Sequence, residues 1–198
     1  PDKNVVILNR RLHLTEPTQT HGVNLPIDCF FRSLSEDQGE KAICIILSGT
    51  ATDGTLGLKV IKGEGGMAMV QDPDSAKYAG MPSSAIATGL VDFILPVDKI
   101  PETLVRYVQQ PYIERPEIIE TGRQQFRSYV QKILALIRTS TGHDFSNYKQ
   151  TTIRRRIERR MAVHQIDSIE KYDTYLDRTP AEIDTLFKDL LIGVTNFF

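Results

Sequence analysis

The 198-residue chain has no tryptophan, only two cysteines and almost no net charge, −1 at pH 7. It also lacks any apolar run near the roughly 18 residues that a membrane-spanning helix needs, so membrane insertion is not expected. Its first residues, PDKNVVILN, contain no basic-then-apolar leader, and the chain reads as cytoplasmic. Cys29 and Cys44 stand alone in DCFF and AICII, with no CxxC pair and no neighbouring histidine. That excludes a disulfide framework and a metal site and leaves two buried, reduced thiols as the expectation. The near-neutral total excludes attraction of the whole protein to nucleic acid, but it hides an asymmetry. Residues 1–110 carry 10 basic against 13 acidic side chains, and 111–198 carry 14 against 12. The chain begins on Pro1 rather than Met and stops on Asn196-Phe197-Phe198, the expected ends of a piece of a longer protein.

What is present divides into two styles. VVILN (5–9) and RRLHL (10–14) read as a hairpin around Asn9-Arg10, and LPIDCFFRSL (25–34) places Ile27, Phe30, Phe31 and Leu34 at helical spacing. KAICIILSG (41–49) is a continuous β-branched run, the pattern of a strand buried on both faces. A helix at 55–62 ending at Gly63, a strand at 67–71, a helix at 82–89 started by Pro82, a strand at 91–96 and a helix at 100–110 follow. This alternation predicts an α/β domain over 1–110, a partial doubly wound parallel sheet. About three parallel strands are too few for an independent sheet, so a second copy of the chain is one candidate to cover the exposed edge. Residues 111–122, with two prolines and no period, are the expected linker. From 123 to 198 the pattern predicts an all-α helical module of four helices. Its inward stripes are Phe126, Val130, Ile133, Leu134, Ile137, then Ile153, Ile157, Met161, then Ile169, Tyr172, Leu176, then Ile183, Leu186, Phe187, Leu190. Gly142 stops the first of these helices. Ser168 caps the third, and Thr179 with Pro180 opens the fourth.

Two stretches carry chemistry. In LSGTATDGTLGL (47–58), Asp53 stands just past the C-terminal end of a buried strand, where open α/β sheets place catalytic groups. A carboxylate there can orient a histidine, as the acid of a Ser-His-Asp triad does. An Asp before Gly is also a common turn former or helix cap, and spacing alone leaves both readings open. The L-S-G-x-x-x-D-G turn, the Gln71-Asp72 pair after the next strand, and GMP-x-x-A-x-x-x-G from Gly80 to Gly89 together closely resemble the catalytic domain of the chemotaxis receptor methylesterase family, CheB. The resemblance covers roughly residues 1–108 and corresponds to the family's C-terminal half. It implies hydrolysis of methyl esters on receptor glutamates, with Asp53 as the triad's acid. The family's serine, in a G-x-S-x-G-G turn, and its histidine would precede Pro1. None of Ser48, Ser75, Ser83 or Ser84 lies in such a turn, and His13 and His21 stand elsewhere. This chain also has Thr50-Ala51 where the family usually has Met-Gly. An acid without base or nucleophile forms no acyl-enzyme, so the 198-residue chain is expected to have no esterase activity of its own.

The second stretch, TIRRRIERRMAVH (152–164), carries five arginines on one predicted helix. With Ile153, Ile157 and Met161 facing inward, Arg155, Arg156, Arg159 and Arg160 are expected on exposed sides, balanced only by Glu158. Such a run suggests an acidic partner, either phosphate or a carboxylate-rich helix. Interleaved aromatics are absent, which disfavours stacking on single strands and leaves duplex binding as the nucleic-acid alternative. The run FRSYVQKILALIRTSTGHDFSNYKQTTIRRRIERRM, with GVTNFF at the end, is similar to the N-terminal helical domain of the chemotaxis receptor methyltransferase family, CheR. That resemblance, over about 123–198, implies a basic helix that engages acidic chemoreceptor helices. The matching positions are Lys149, Arg156, Arg159 and Arg160. In the family an N-x-T-x-F-F-R stretch contributes to S-adenosylmethionine binding. Thr195 matches its threonine, while Gly193 replaces its Asn. The family's catalytic domain is absent from this sequence, so S-adenosylmethionine is expected as a cofactor of the parent and not bound by this chain.

A methylesterase tail followed at once by a methyltransferase head is the order expected of a fused sensory-adaptation protein carrying two opposing activities.

Overall fold

The computed structural model describes residues 3–17, 24–109 and 120–192. They form two compact units that divide between Pro101 and Glu102.

The first unit opens with a hairpin of β1 (Asn4–Leu8) and β2 (Arg11–Thr15), paired antiparallel from Asn4↔Thr15 to Leu8↔Arg11. Asn9 and Arg10 form its two-residue turn at φ 51° and 61°, the left-handed pair that matches the twist of such hairpins. Helix α1 (Pro26–Gln38) holds this turn, because both carboxylate oxygens of Asp37 accept the Arg10 N–H and Ser33 Oγ accepts the Ile7 N–H at 3.0 Å. Strands β3 (Ile43–Ile46), β4 (Met67–Gln71) and β5 (Phe93–Leu95) make a parallel sheet in the order β3-β4-β5. The crossovers are α2 (Thr55–Gly63) and α3 (Gly80–Ile86), as the alternating pattern predicts. Helix α3 begins two residues before Pro82 because its first turn is docked on the β3 loop, with the Met81 N–H donating to the Gly49 carbonyl at 3.0 Å.

The five residues of central β4 are all buried. Cys44, Ile46, Ala68 and Val70 pack with Phe31, Leu58, Ile61 and Ala85 into one core. Beneath it lies a charge pair that apolar periodicity does not reveal. Lys62, in the last turn of α2, is fully buried, and its Nζ donates to both carboxylate oxygens of Asp92 at 2.8 Å. Asp92 Oδ2 also accepts the Ala68 N–H of β4 at 2.9 Å, so this pair joins helix to sheet. Burial, with the Asp92 charge nearby, pushes the Cys44 thiol up to about 12 and makes it inert. Cys29, expected buried, is only half-buried. Helix α4 (Ile100–Val108) contains the division between the units.

The expected linker lies outside the described residues up to 119, and its last three positions are already helical, in α5 (Glu120–Thr141). Three further helices follow: α6 (Gln150–Val163), α7 (Ile169–Arg178) and α8 (Pro180–Ile192). Gly142, at φ 76°, ends α5, and Ser168 Oγ accepts the Lys171 N–H at 3.4 Å as the cap of α7. The four predicted stripes converge on one core, in which Ile133, Ile137, Ile153, Ile157, Met161, Tyr172 and Leu186 are sealed from water. Phe145, between α5 and α6, fills the same core without belonging to any periodic stripe.

One expectation fails here. Of the four arginines placed on exposed sides of α6, only Arg155 is exposed. Arg156, Arg159 and Arg160 retain 4%, 6% and 4% of their accessible surface. The C-terminal half of α6 is enclosed nearly all round, and α8 supplies acids to meet it. The Arg159 guanidinium pairs with Asp189, and Arg160 Nε donates to Glu182 Oε1 at 2.7 Å.

Candidate functional site

Asp53 sits in the loop between β3 and α2, half-buried. Helix α1 enters from Leu25, a residue with no side-chain acceptor for the exposed amides of its first turn. Asp53 supplies it from a distance in sequence. Its Oδ2 accepts the Ile27 N–H at 3.0 Å, and its Oδ1 accepts the Asp28 N–H at 2.9 Å and the Gly54 N–H at 2.9 Å. The helix-cap and triad-acid readings are thus compatible. The carboxylate caps α1 while standing beyond the C-terminal end of the strand.

The remaining motif residues fix this loop. Gln71, buried at the end of β4, accepts the Ser48 N–H at 2.9 Å and donates Nε2 to the Ser75 carbonyl at 3.0 Å. Ser48 Oγ accepts the Tyr78 N–H at 2.9 Å, and the Gly49 N–H donates to the Tyr78 carbonyl at 3.0 Å. Gly80 packs so close that a Cβ there would lie 3.1 Å from the Ala51 nitrogen, which accounts for glycine at the head of Gly-Met-Pro. Ala51 adopts φ 67°, a left-handed conformation that costs a residue with a Cβ. This is the position where the CheB family usually has glycine.

His13 is exposed on β2 opposite Val6, and His21 lies outside the described residues. Among the described residues no group of three or more His, Cys, Asp or Glu could hold a metal ion, and no helix is long and apolar enough to cross a membrane.

In the helical unit the sequence-based site divides. Lys149 is exposed at the N-cap of α6, and Arg155 is exposed six residues further along. Arg156, Arg159 and Arg160 are internal. Around Glu182 a network closes, made of Arg160 Nε at 2.7 Å, His164 Nε2 at 2.7 Å from Oε2, and the Tyr172 hydroxyl at 2.8 Å from Oε1. Burial alone would raise this carboxyl, but the hydrogen bonds and charges of His164 and Arg160 overcome it and hold Glu182 at about 2. Burial, with the Glu182 charge, raises the Tyr172 phenol well above its usual range. These acids carried a signal in the sequence. Glu182 and Asp189 are seven residues apart on α8, within the stripe of Ile183, Leu186 and Leu190. Carboxylates inside an apolar stripe require cationic partners. Thr195 lies outside the described residues.

Comparison with known proteins places both halves. The CheB methylesterase family matches residues 1–104, and the all-alpha domain of the CheR methyltransferase family matches residues 129–191. An uncharacterized 104.1 kDa protein of Rhodobacter capsulatus is 33% identical over 100% of this chain, which is 23% of that protein. A protein-glutamate methylesterase/protein-glutamine glutaminase of Pyrococcus abyssi is 35% identical over 54% of this chain and 27% of its own length. A putative protein of the same description from Leptospira interrogans is 45% identical over 45% of this chain and 46% of its own length. The crystal structure of the Thermotoga maritima CheB methylesterase catalytic domain aligns at a TM-score of 0.47 and 30% identity, over 52% of this chain and 56% of that one. The chain thus spans between 23% and 46% of the length of these three curated relatives. It belongs to the CheB methylesterase family over residues 1–104, and its residues 129–191 match the all-alpha domain of the CheR methyltransferase family.

Proposed function

We propose that this chain is the joint of a bifunctional sensory-adaptation protein that removes methyl esters from chemoreceptor glutamates and adds them back. The observation that supports the methylesterase side is Asp53, held by three main-chain amides past the end of β3, at the position that the resemblance assigns to the family's acid. In a Ser-His-Asp triad the serine Oγ attacks the ester carbonyl, the histidine takes its proton, and the acid orients and stabilises the imidazolium. Serine and histidine would come from residues outside this sequence. The 198-residue chain alone should therefore release no methanol from methylated receptor. The complete methylesterase should release it and lose that activity with Asp53→Ala. Methanol release by the isolated chain would overturn this reading.

The helical unit is proposed to dock the methyltransferase on acidic receptor helices. Its contacts are reassigned from the internal arginines to Lys149 and Arg155, the exposed basic groups of α6. S-adenosylmethionine would be the methyl donor of the parent's transferase. With Gly193 where the family's binding stretch has Asn, this chain should give no calorimetric signal with it. With three of the five α6 arginines buried, two of them paired to Asp189 and Glu182, little of the run remains for nucleic acid. An acidic helical peptide should bind in preference to duplex DNA of similar charge, and Lys149→Ala with Arg155→Ala should weaken it. Equal, steeply salt-dependent binding of DNA would favour the nucleic-acid reading instead.

A further inference from the structure

An ionised carboxylate offers about four acceptor positions. Asp53 has two filled on Oδ1, by Asp28 and Gly54, and one on Oδ2, by Ile27. Among the described residues a single direction, on Oδ2, is left for an incoming donor. What fixes that direction is the placement of the first turn of α1 against the start of α2, and one side chain ties the two together. Asp28 is buried, and its Oδ1 accepts the Gly57 N–H of α2 at 2.7 Å. Gly57 is where the helices touch, since a Cβ there would lie 2.5 Å from Phe31 Cβ and 3.1 Å from Asp28 Cα. Asp28 thus holds α2 with its side chain and Asp53 with its main-chain N–H.

We propose that Asp28 is a positioning residue for the methylesterase reaction: by locking α1 to α2 it sets the direction in which Asp53 Oδ2 meets the catalytic histidine. This rests on the reading of Asp53 as the triad's acid. Asp28 itself touches neither ester nor histidine. Burial raises its carboxyl above the usual range, and the neighbouring Asp53 charge adds to that rise. A neutral side chain of the same shape should therefore serve, because the Gly57 N–H needs only an oxygen acceptor.

The test is steady-state methanol release by the complete methylesterase, normalised to folded protein by circular dichroism, for Asp28→Ala, Asp28→Asn and Asp53→Ala. Asp28→Ala should lower kcat by roughly 10²-fold, the scale of a misplacement of about 1 Å, with KM little changed. It should also move the acid limb of the kcat/KM profile to lower pH. An acid turned away no longer stabilises the imidazolium, and the histidine then loses its proton more readily. Asp28→Asn should retain most of kcat and the original limb. If Asp53→Ala is dead while Asp28→Ala keeps both kcat and the limb, the positioning role is wrong and the triad assignment stands. If Asp28→Asn fails as badly as Asp28→Ala, the hydrogen-bond account is wrong. If Asp53→Ala remains active, the assignment of the acid itself falls.

Discussion

Both units bury charge, but in opposite ways. In the sheet unit the Lys62–Asp92 pair is sealed between α2 and β4, while Asp53, the proposed triad acid, is kept at the loop by main-chain donors. In the helical unit three of the most conspicuous charges, Arg156, Arg159 and Arg160, are drawn into the core, and the basic groups that stay exposed, Lys149 and Arg155, are inconspicuous. A run of like charge therefore indicates that acids must lie nearby in space. It does not indicate that they belong to another molecule. Arg159 and Arg160 find Asp189 and Glu182 within their own fold, 30 and 22 residues away.

The sharpest way to break this comparison is to remove one partner of each buried pair. Lys62→Met should destabilise the sheet unit by about 3–5 kcal/mol, because Asp92 is left charged in a dry core, and Arg160→Ala should do the same to the helical unit. Arg155→Ala should stay within about 0.5 kcal/mol of the parent. Urea unfolding, read unit by unit through hydrogen exchange and mass spectrometry, separates these effects. If Arg160→Ala were as silent as Arg155→Ala, the arginine core would be refuted.

Acid should distinguish the units next. Glu182 falls from a model-peptide carboxyl of 4.5 to about 2 on folding, so its contribution is complete above pH 4.5 and is lost as pH falls through about 2. That depression corresponds to about 3 kcal/mol. The helical unit should weaken steeply across this window. In Glu182→Gln the slope should flatten and neutral stability should drop, as pH-dependent exchange would show.

Smaller effects test the methylesterase loop. Asp53→Ala removes the acceptor for the first turn of α1 and should cost about 1–2 kcal/mol, with faster exchange of the Ile27 and Asp28 amides. An unchanged stability would mean that the loop carboxylate caps nothing. Ala51→Gly should relieve the left-handed φ and stabilise by about 0.5–1 kcal/mol, the strain released less the added freedom of the unfolded chain. Its thermal midpoint should rise, and a fall would show that the loop is not strained there.

Most elements could be read before any coordinates. β4 (Met67–Gln71) and α2 (Thr55–Gly63) follow from a run of four apolar residues and a stop at glycine, and the stripes of α5 to α8 follow from 3.6-residue spacing. Asp53 stood out through the motifs around it, which resemble the methylesterase family; as a lone carboxylate before glycine it read equally as a turn former or cap. Asp28 and Lys62 were not legible, and Gln71 was legible as a motif residue but not in its role. Each is polar within a stretch whose period concerns its neighbours, and each takes its meaning from an atom 23 to 30 residues away.

By itself the sequence determined two periods, one of strand and helix and one of helix alone, and the motifs that mark methylesterase and methyltransferase kin. Local sterics and apolar spacing are sufficient for both. Only the tertiary structure decided which charges face inward. Burying an ion depends on whether a partner of opposite sign arrives within hydrogen-bond reach, and that is settled by how α6 meets α8 and how α1 meets α2.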